Sequence, residues 1–309
     1  MRIAANIGRK AIRITNSCVN MFVLLVVMLL VGFSGYAIWD SGQVIGAASS
    51  ENYRQYRPMA EDGDASFEQL QMINADVFGW LTVFGTNIDY PVVQGTDNIR
   101  YVNTDARGRH ALSGAIFLDY RNCPWFSDFN SIFYGHHMQN RVMFGEIELF
   151  ANREYFHARR YGMLYFNGHL RGLEFFAFVH ADAYDLSVFR VRIAGQEQQQ
   201  AYLDLLLDMA VHVREDVPVT IGDRIVLLST CSETSTNGRD ILIGRITGET
   251  FNNPFAQDVE ETQGIIAAID TLSGLWARAG FWGRLSVMAL PLLLILLAVF
   301  LIYTKRQRR

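Results

Sequence analysis

Lysine, cysteine and basic charge are all scarce in this chain of 309 residues. Lysine occurs only at Lys10 and Lys305, and the three cysteines are Cys18, Cys123 and Cys231. So few cysteines argue against a disulfide framework. Between its two basic ends the chain carries 19 Lys and Arg against 31 Asp and Glu, a net charge of −12. That balance opposes nucleic-acid binding, which needs clustered positive charge.

Charge is also absent from two long apolar runs, residues 19–38 and 285–303. Each run is long enough to cross a hydrocarbon core about 30 Å thick. Basic residues precede the first run and follow the second, and basic flanks stay on the cytoplasmic side. We therefore expect a two-pass cell-membrane protein with both termini cytoplasmic. A cleaved signal peptide stays open as the alternative for the first run, because small residues follow it at Ala47-Ala48-Ser49.

The two runs predict how the chain is divided. We expect, in order, a basic cytoplasmic tail (1–18), a transmembrane helix (19–38), an extracellular linker (39–65), a folded extracellular domain (66–250), a juxtamembrane segment (251–284), a second transmembrane helix (285–303) and a basic cytoplasmic tail (304–309).

Short β-rich runs separated by Gly, Asn and Asp fill the folded domain. The predicted strands are Trp80–Val83, Ile88–Val93, Ala115–Leu118, Ser131–Gly135, Gly162–Phe166, Leu173–Ala181, Ile225–Thr230 and Ile241–Thr247. Helices are expected near Met143–Leu149, continuing through Asn152–Ala158, and over Gln196–Val211, where apolar residues keep helical spacing. The fold class is mainly β with added helices (α+β), arranged as a barrel or a sandwich.

Two residues with reactive or charged side chains lie where the last two predicted strands meet. Cys231 closes the first of them, and Arg239 opens the second after a polar loop. If the strands pair as an antiparallel hairpin, Cys231 and Arg239 lie opposite each other. A thiolate is a nucleophile, and an arginine offers fixed donors to a developing oxyanion. A disulfide between Cys123 and Cys231, and a surface position for Arg239 beside a turn, are the structural alternatives.

A free thiol has a pKa of about 8.5, so a nucleophilic Cys231 needs a cationic neighbour or a base. His136 follows a strand-like run and Gly135, which suits an exposed position, and His137 is its rival. His180 falls inside an apolar strand and is expected in the core. The spacing of His, Cys, Asp and Glu does not indicate a metal site. The adjacent pair His136-His137 is poorly placed to bind one metal ion, because neighbouring residues on a strand point to opposite faces.

Several blocks of sequence resemble one family. Leu228-Ser229-Thr230-Cys231, followed by Gly238-Arg239, resembles the active-site motif of sortases, the membrane-anchored cysteine transpeptidases of Gram-positive bacteria. Further blocks resemble class B sortases, appear in family order and extend the resemblance over about residues 65–250: Phe78–Leu81, Asp89–Gln94, Gly114–Asn122 and Tyr134–Met138.

The resemblance implies a closed eight-stranded sortase β-barrel, here flanked by two transmembrane helices. It implies Cys231, His136 and Arg239 as catalytic residues, and so favours His136 over His137 and Arg239 over Arg245. It also implies substrate-binding positions, for which the candidates are Ser229, Thr230 and Tyr134.

The activity implied is transpeptidation. Cys231 would cleave the C-terminal sorting signal of a surface protein after Thr and form a thioester. An amine, on a peptidoglycan precursor or a pilin lysine, would then take the acyl group, with no metal or organic cofactor. Wall anchoring is the favoured outcome, and pilin polymerisation is the alternative because a second span is typical of pilin-polymerising sortases. No Asp-Pro-aromatic lid of their type occurs within Tyr53–Phe67.

Two other classes of protein are the alternatives. A pilin-like structural protein would present a lysine and its own sorting signal ahead of Leu285, and the expected exterior has neither. A hydrolytic cysteine protease remains open on the residues alone.

Overall fold

The computed structural model describes residues 2–58, 65–231 and 237–256. The predicted second transmembrane helix, the C-terminal tail and all but residues 251–256 of the juxtamembrane segment lie outside these ranges. The elements below belong to a compact unit that ends at Asn253.

The chain begins with a long apolar helix, α1 (Arg2–Ala48), which contains the predicted span 19–38. Among the described residues, this is the one helix that is long enough and apolar enough to cross a membrane. Its most apolar window has a mean hydropathy of 2.5. This helix fits a membrane anchor or a signal sequence.

The segment expected to be a linker is helical at first and then packs on the domain. α1 continues to Ala48, and a 3-10 helix follows over Ser50–Tyr56. Tyr53 in this 3-10 helix is buried, and the guanidinium of Arg107 lies 5.0 Å from the centre of its ring. The Tyr90 hydroxyl donates a hydrogen bond to the Ala48 carbonyl over 3.0 Å. The end of α1 is therefore attached to the barrel by specific contacts.

Nine strands form one sheet. They are β1 (Val77–Val83), β2 (Asp89–Val93), β3 (Ile116–Leu118), β4 (Asn130–Tyr134), β5 (Tyr161–Phe166), β6 (His169–Asp182), β7 (Ala210–Val213), β8 (Arg224–Cys231) and β9 (Gly238–Thr247). The order is β5-β1-β2-β3-β4-β8-β9-β6-β7, and β5 also pairs with β6. Eight strands thus close into a barrel, as expected, and β7 adds to β6 outside the ring.

The barrel mixes two kinds of pairing. β2 with β3 and β4 with β8 are parallel, and the other pairs are antiparallel. Parallel neighbours need long crossovers. The crossover between β4 and β8 holds most of the added helices, which are a 3-10 helix (Ile147–Ala151), α3 (Arg153–Ala158) and α4 (Gln196–Asp208); α2 (Ala65–Ile73) precedes the barrel.

Two predicted helices differ from the structure. The one expected near Met143–Leu149 begins only at Ile147, because Met143 has a left-handed backbone with φ of 55°. The one expected over Gln196–Val211 ends at Asp208. The residues that follow instead form β7, which bonds to the edge of β6 with Ala210 opposite Val179. Edge pairing there overrides the helical spacing.

The core consists of two clusters on opposite faces of β8. Val226 and Leu228 belong to a large cluster that also contains Trp80 and Phe133. Leu227, their neighbour in sequence, packs into a second cluster beneath α4. Because both faces of β8 are covered, its sequence is a continuous apolar run and does not alternate.

A buried carboxylate links β6 and β9 to Arg160, the residue directly before β5. Glu174 on β6 accepts from Arg160 Nε over 2.8 Å and from Arg245 Nη2 on β9 over 2.7 Å. Its side chain is 7% exposed. We expect Glu174→Gln to lower the free energy of unfolding by about 1–3 kcal/mol, because the amide turns a donor toward a guanidinium donor. Urea unfolding of the full chain in detergent measures this.

The control is Glu215→Gln, at an exposed carboxylate. Equal urea midpoints for the two variants would contradict a structural role for Glu174.

Candidate active site

Three strands bring the predicted site residues to one rim of the barrel. β4 and β8 run parallel, with Tyr134 opposite Ser229. β8 and β9 run antiparallel, with Cys231 opposite Arg239. The predicted hairpin is therefore confirmed, and its register is the one that pairs Cys231 with Arg239. The loop between these strands is described only from Asn237 onward.

The disulfide alternative is wrong, because Cys123 is a free cysteine. It lies in the turn after β3, where its backbone N–H donates to Asp128 Oδ2 over 2.7 Å. Cys231 is therefore not tied to Cys123.

A cavity of about 260 Å³ opens at this rim. Its lining combines apolar and polar residues: Asn98, Val102, Phe117, Tyr134, Gly135, His136, Ser229, Thr230 and Arg239. The structure thus brings together five of the six predicted site residues, and the sixth, Cys231, directly follows Thr230 on β8.

The ring of His136 is held by one hydrogen bond. Its Nε2 lies 2.8 Å from the carbonyl oxygen of Val102, which only accepts. Nε2 must therefore carry the hydrogen, and Nδ1 is the nitrogen left to exchange a proton. Contact with Val102 also fixes the ring in the cavity wall, since Val102 lines the same cavity.

His137 and Arg245, the nearest rivals, are engaged elsewhere. The His137 Nε2 lies 3.0 Å from Glu148 Oε2. Arg245 donates through Nε and Nη2 to Glu174, over 3.0 and 2.7 Å, and through Nη1 to the Pro218 carbonyl over 2.8 Å. Neither residue lines the cavity.

His180 is not a core residue, contrary to the sequence expectation. Its side chain is 46% exposed, and its Nδ1 lies 2.6 Å from the buried Asp240. The apolar strand continues past the point where the barrel covers it, so the pattern of residues alone placed His180 too deep.

The two hydroxyl groups on β8 are buried in an unusual way. Ser229 Oγ and Thr230 Oγ1 have no hydrogen-bond partner among the described residues. A buried hydroxyl without a partner costs free energy, so such groups are uncommon away from sites that bind something. Both residues line the cavity.

Tyr134 is hydrogen-bonded to a buried carboxylate, Asp119. Its hydroxyl donates to Asp119 Oδ2 over 3.2 Å. Burial raises the pKa of Tyr134, the Asp119 carboxylate raises it further, and the positive charge of Arg239 acts in the opposite direction. The phenol therefore stays neutral at ordinary pH.

Three lining residues were missed from the sequence. Asn98 and Val102 lie in loop and 3-10 segments with no periodic pattern, and Phe117 looks like any core residue of a short strand. Asp119, which bonds to Asn98 and Tyr134 behind the cavity, was also not singled out from the sequence. Its only sequence signal was its place in Gly114–Asn122, a block that resembles class B sortases. Among the described residues, no group of three or more His, Cys, Asp or Glu is placed to hold a metal ion.

Comparison with known proteins identifies the family. No protein-family model matches the chain. Sortase B of Staphylococcus aureus is 31% identical over 185 residues, 58% of this chain and 74% of that protein. The crystal structure of sortase B from the type II pilus of Streptococcus pneumoniae is 48% identical, with a TM-score of 0.53, over 59% of this chain and 99% of that one.

A Staphylococcus aureus sortase B–substrate complex is also similar. It is 28% identical, with a TM-score of 0.60, over 66% of this chain and 97% of that one. The chain therefore belongs to the sortase family and is class B-like. As a sortase, it is a transpeptidase enzyme.

Gly135, between β4 and His136, has no room for a side chain. A Cβ there would lie 2.5 Å from Ile116 Cδ1 and 2.7 Å from Phe144 Cδ2. We expect Gly135→Ala to lower the free energy of unfolding by roughly 1–3 kcal/mol, as overpacking does. Urea unfolding of the full chain measures this loss.

Ile116→Val supplies the matched control, because it removes the Cδ1 atom nearest to the new methyl group. The double variant should lose less stability than the two single variants together. Strict additivity would show that this contact does not limit residue 135.

Proposed function

We propose that this chain is a membrane-held sortase that joins surface proteins to an amine through a thioester on Cys231. The observation that carries the proposal is the register that sets Cys231 opposite Arg239, at the edge of a cavity lined by His136. In this proposal Cys231, His136 and Arg239 are the catalytic residues.

The first step breaks the peptide bond after Thr in the sorting signal. The Cys231 thiolate attacks the carbonyl carbon, and the carbonyl oxygen becomes an oxyanion that the guanidinium of Arg239 stabilises. The C–N bond then breaks, and the departing amine takes a proton from His136 Nδ1. The product is a thioester with the free amine released.

The second step reverses the proton transfers. An incoming amine attacks the thioester carbonyl and gives a proton to His136 Nδ1. The C–S bond breaks, and the thiolate of Cys231 is restored as the new amide leaves. Atoms and charges balance without a cofactor.

Substrate binding is proposed for the cavity walls. Ser229 and Thr230 bring buried hydroxyls that have no hydrogen-bond partner in the described part of the chain, and a peptide backbone or side chain would satisfy them. Tyr134 contributes a neutral phenol beside them. These groups would fix an extended peptide so that its scissile carbonyl lies between Cys231 and Arg239.

The proposed location is the outer face of a cell membrane of a Gram-positive bacterium. α1 would be the first span, and the apolar run 285–303 the second, with both basic tails in the cytoplasm. The acceptor would be an amine of a peptidoglycan precursor, which anchors the surface protein to the wall.

Pilin polymerisation through lysine is the second candidate. The observation in its favour is the 48% identity to a sortase B of a pneumococcal type II pilus. The run 285–303 agrees with it as well.

Mutation of Cys231 tests the nucleophile. We expect wild-type protein, incubated with a library of sorting peptides and no amine, to gain the mass of an acyl fragment on Cys231. Cys231→Ala should gain none, because the thioester cannot form. Mass spectrometry of the intact protein and its peptides measures this, and Cys123→Ala is the matched cysteine control.

An acyl adduct on Cys231→Ala would contradict the proposal. Adding a pilin and an oligoglycine amine to the trapped wild-type enzyme then separates the acceptors: ladders of pilin favour polymerisation, and an oligoglycine adduct favours wall anchoring. Free acid in excess amine would identify a hydrolytic protease.

Arg239→Lys tests the oxyanion role, because a point charge does not replace a planar fork. We expect kcat to fall by about 100-fold, the usual loss for one oxyanion donor. Arg245→Lys makes the same substitution six residues further along β9 and should leave kcat near that of the wild type. The reverse result would assign the role to Arg245.

A further inference from the structure

A carboxylate lies completely buried behind the cavity and takes no part in the proposed chemistry. Asp119 directly follows β3, and none of its side chain is exposed. Its backbone is tied into the barrel as well, since its N–H donates to the Ile132 carbonyl over 2.9 Å. A buried acid is costly unless its charge is paired and its lone pairs are satisfied.

Arg121 supplies that compensation with both arms of its guanidinium. Its Nε donates to Asp119 Oδ1 over 2.8 Å and its Nη2 to Oδ2 over 2.7 Å. Burial by itself would raise the pKa of Asp119, but the hydrogen bonds from Arg121 and Asn98, together with the charge of Arg121, outweigh it and the pKa is lowered. Asp119 is therefore a carboxylate at neutral pH, and a carboxylate only accepts hydrogen bonds.

Two further donors to Asp119 are cavity-wall residues. Asn98 Nδ2 donates to Oδ2 over 2.9 Å, and the Tyr134 hydroxyl donates to the same oxygen over 3.2 Å. Asn98 and Tyr134 both line the cavity, and Asp119 itself does not. The buried Oδ2 atom of Asp119 thus binds two residues of the cavity wall, Asn98 and Tyr134.

Because Asp119 can only accept, it fixes which way each wall residue is turned. The amide of Asn98 must direct its amino group at Asp119, and its Oδ1 accepts from the Tyr120 N–H over 3.0 Å. The second amino hydrogen of Asn98 is then its remaining donor. The hydroxyl hydrogen of Tyr134 is used on Asp119, so its oxygen keeps acceptor capacity only.

We propose that Asp119 is a positioning residue that sets the hydrogen-bonding polarity of the cavity: a donor from Asn98 and an acceptor from Tyr134. A peptide group, with one C=O and one N–H, is the complementary ligand. The inference rests on the proposed function, in which this cavity binds the sorting peptide.

Glu174 provides a matched comparison within the same chain. It is also a buried carboxylate held by two arginines, but these partners, Arg160 and Arg245, do not line the cavity. Loss of either carboxylate should lower stability. Only loss of Asp119 should alter peptide turnover.

The first experiment measures kcat and KM of the full chain in detergent with a sorting peptide and an amine. We expect Asp119→Asn to lower kcat/KM by about tenfold to a hundredfold, as small misplacements of positioning groups do. Tyr134→Phe should lower it too, and the combined variant should fall little further than Asp119→Asn, because the two groups act as one unit. Glu174→Gln should keep the kcat/KM of the wild type.

The second experiment needs no turnover. With tyrosine labelled by carbon-13 at Cζ, and its Tyr134 signal assigned through Tyr134→Phe, Asp119→Asn should lower the pKa of Tyr134 because the neighbouring negative charge is gone. If wild-type protein turned over no sorting peptide, the proposed function would fail while this measurement still decided the inference.

An unchanged Tyr134 pKa in Asp119→Asn, or additive losses in the combined variant, would overturn the proposal. If Asp119→Asn does not fold, Arg121→Gln decides. Without the guanidinium the pKa of Asp119 rises, so kcat/KM should begin to fall at a higher pH than in the wild type as the medium is acidified. A pH profile identical to that of the wild type, in a folded variant, would overturn the proposal.

Discussion

The register of β8 against β9 is the constraint on which the site depends. Eight consecutive pairs run without a shift from Arg224–Ile246 to Cys231–Arg239. A slip of one residue would set Gly238 or Asp240 opposite Cys231. Asp240 would bring a negative charge, which disfavours a thiolate. Such a slip would also exchange the two faces of β9. Leu242 packs in one core cluster and Ile241 and Ile243 pack in the other, so the exchange would disrupt the packing of both.

Barrel closure then converts that pairing into a cavity. β4 pairs with the other side of β8, which brings His136 to the same rim as Cys231. Tyr134 stands at the junction, since it packs against both core clusters and lines the cavity. The site therefore lies where two separately packed faces of one sheet meet, and the rigid strands, more than the loops, hold its residues.

Scarce lysine has a structural consequence. Among the described residues, every ion pair uses arginine or histidine as the cation. Arginine can donate two parallel hydrogen bonds to a buried carboxylate, as Arg121 does to Asp119. The buried carboxylates of Glu174, which links strands, and of Asp119, behind the cavity, are both held by arginine.

Local sequence determined the eight barrel strands of this protein, the apolar N-terminal helix and the pairing of Cys231 with Arg239, because short β-rich runs, apolar length and a short polar loop are properties of neighbouring residues. The family resemblance favoured His136 over His137. Only the tertiary structure decided that His180 is exposed, that β7 replaces the end of a helix and that Asn98, Val102 and Phe117 line the cavity. The same holds for the oxygen of Asp119 that joins Asn98 to Tyr134. β7 depends on its antiparallel pairing with β6, outside the ring. The cavity lining and the Asp119 contacts depend on the closure of the barrel and on its parallel pairs, which bring together residues far apart in the chain and leave no periodic trace in the sequence.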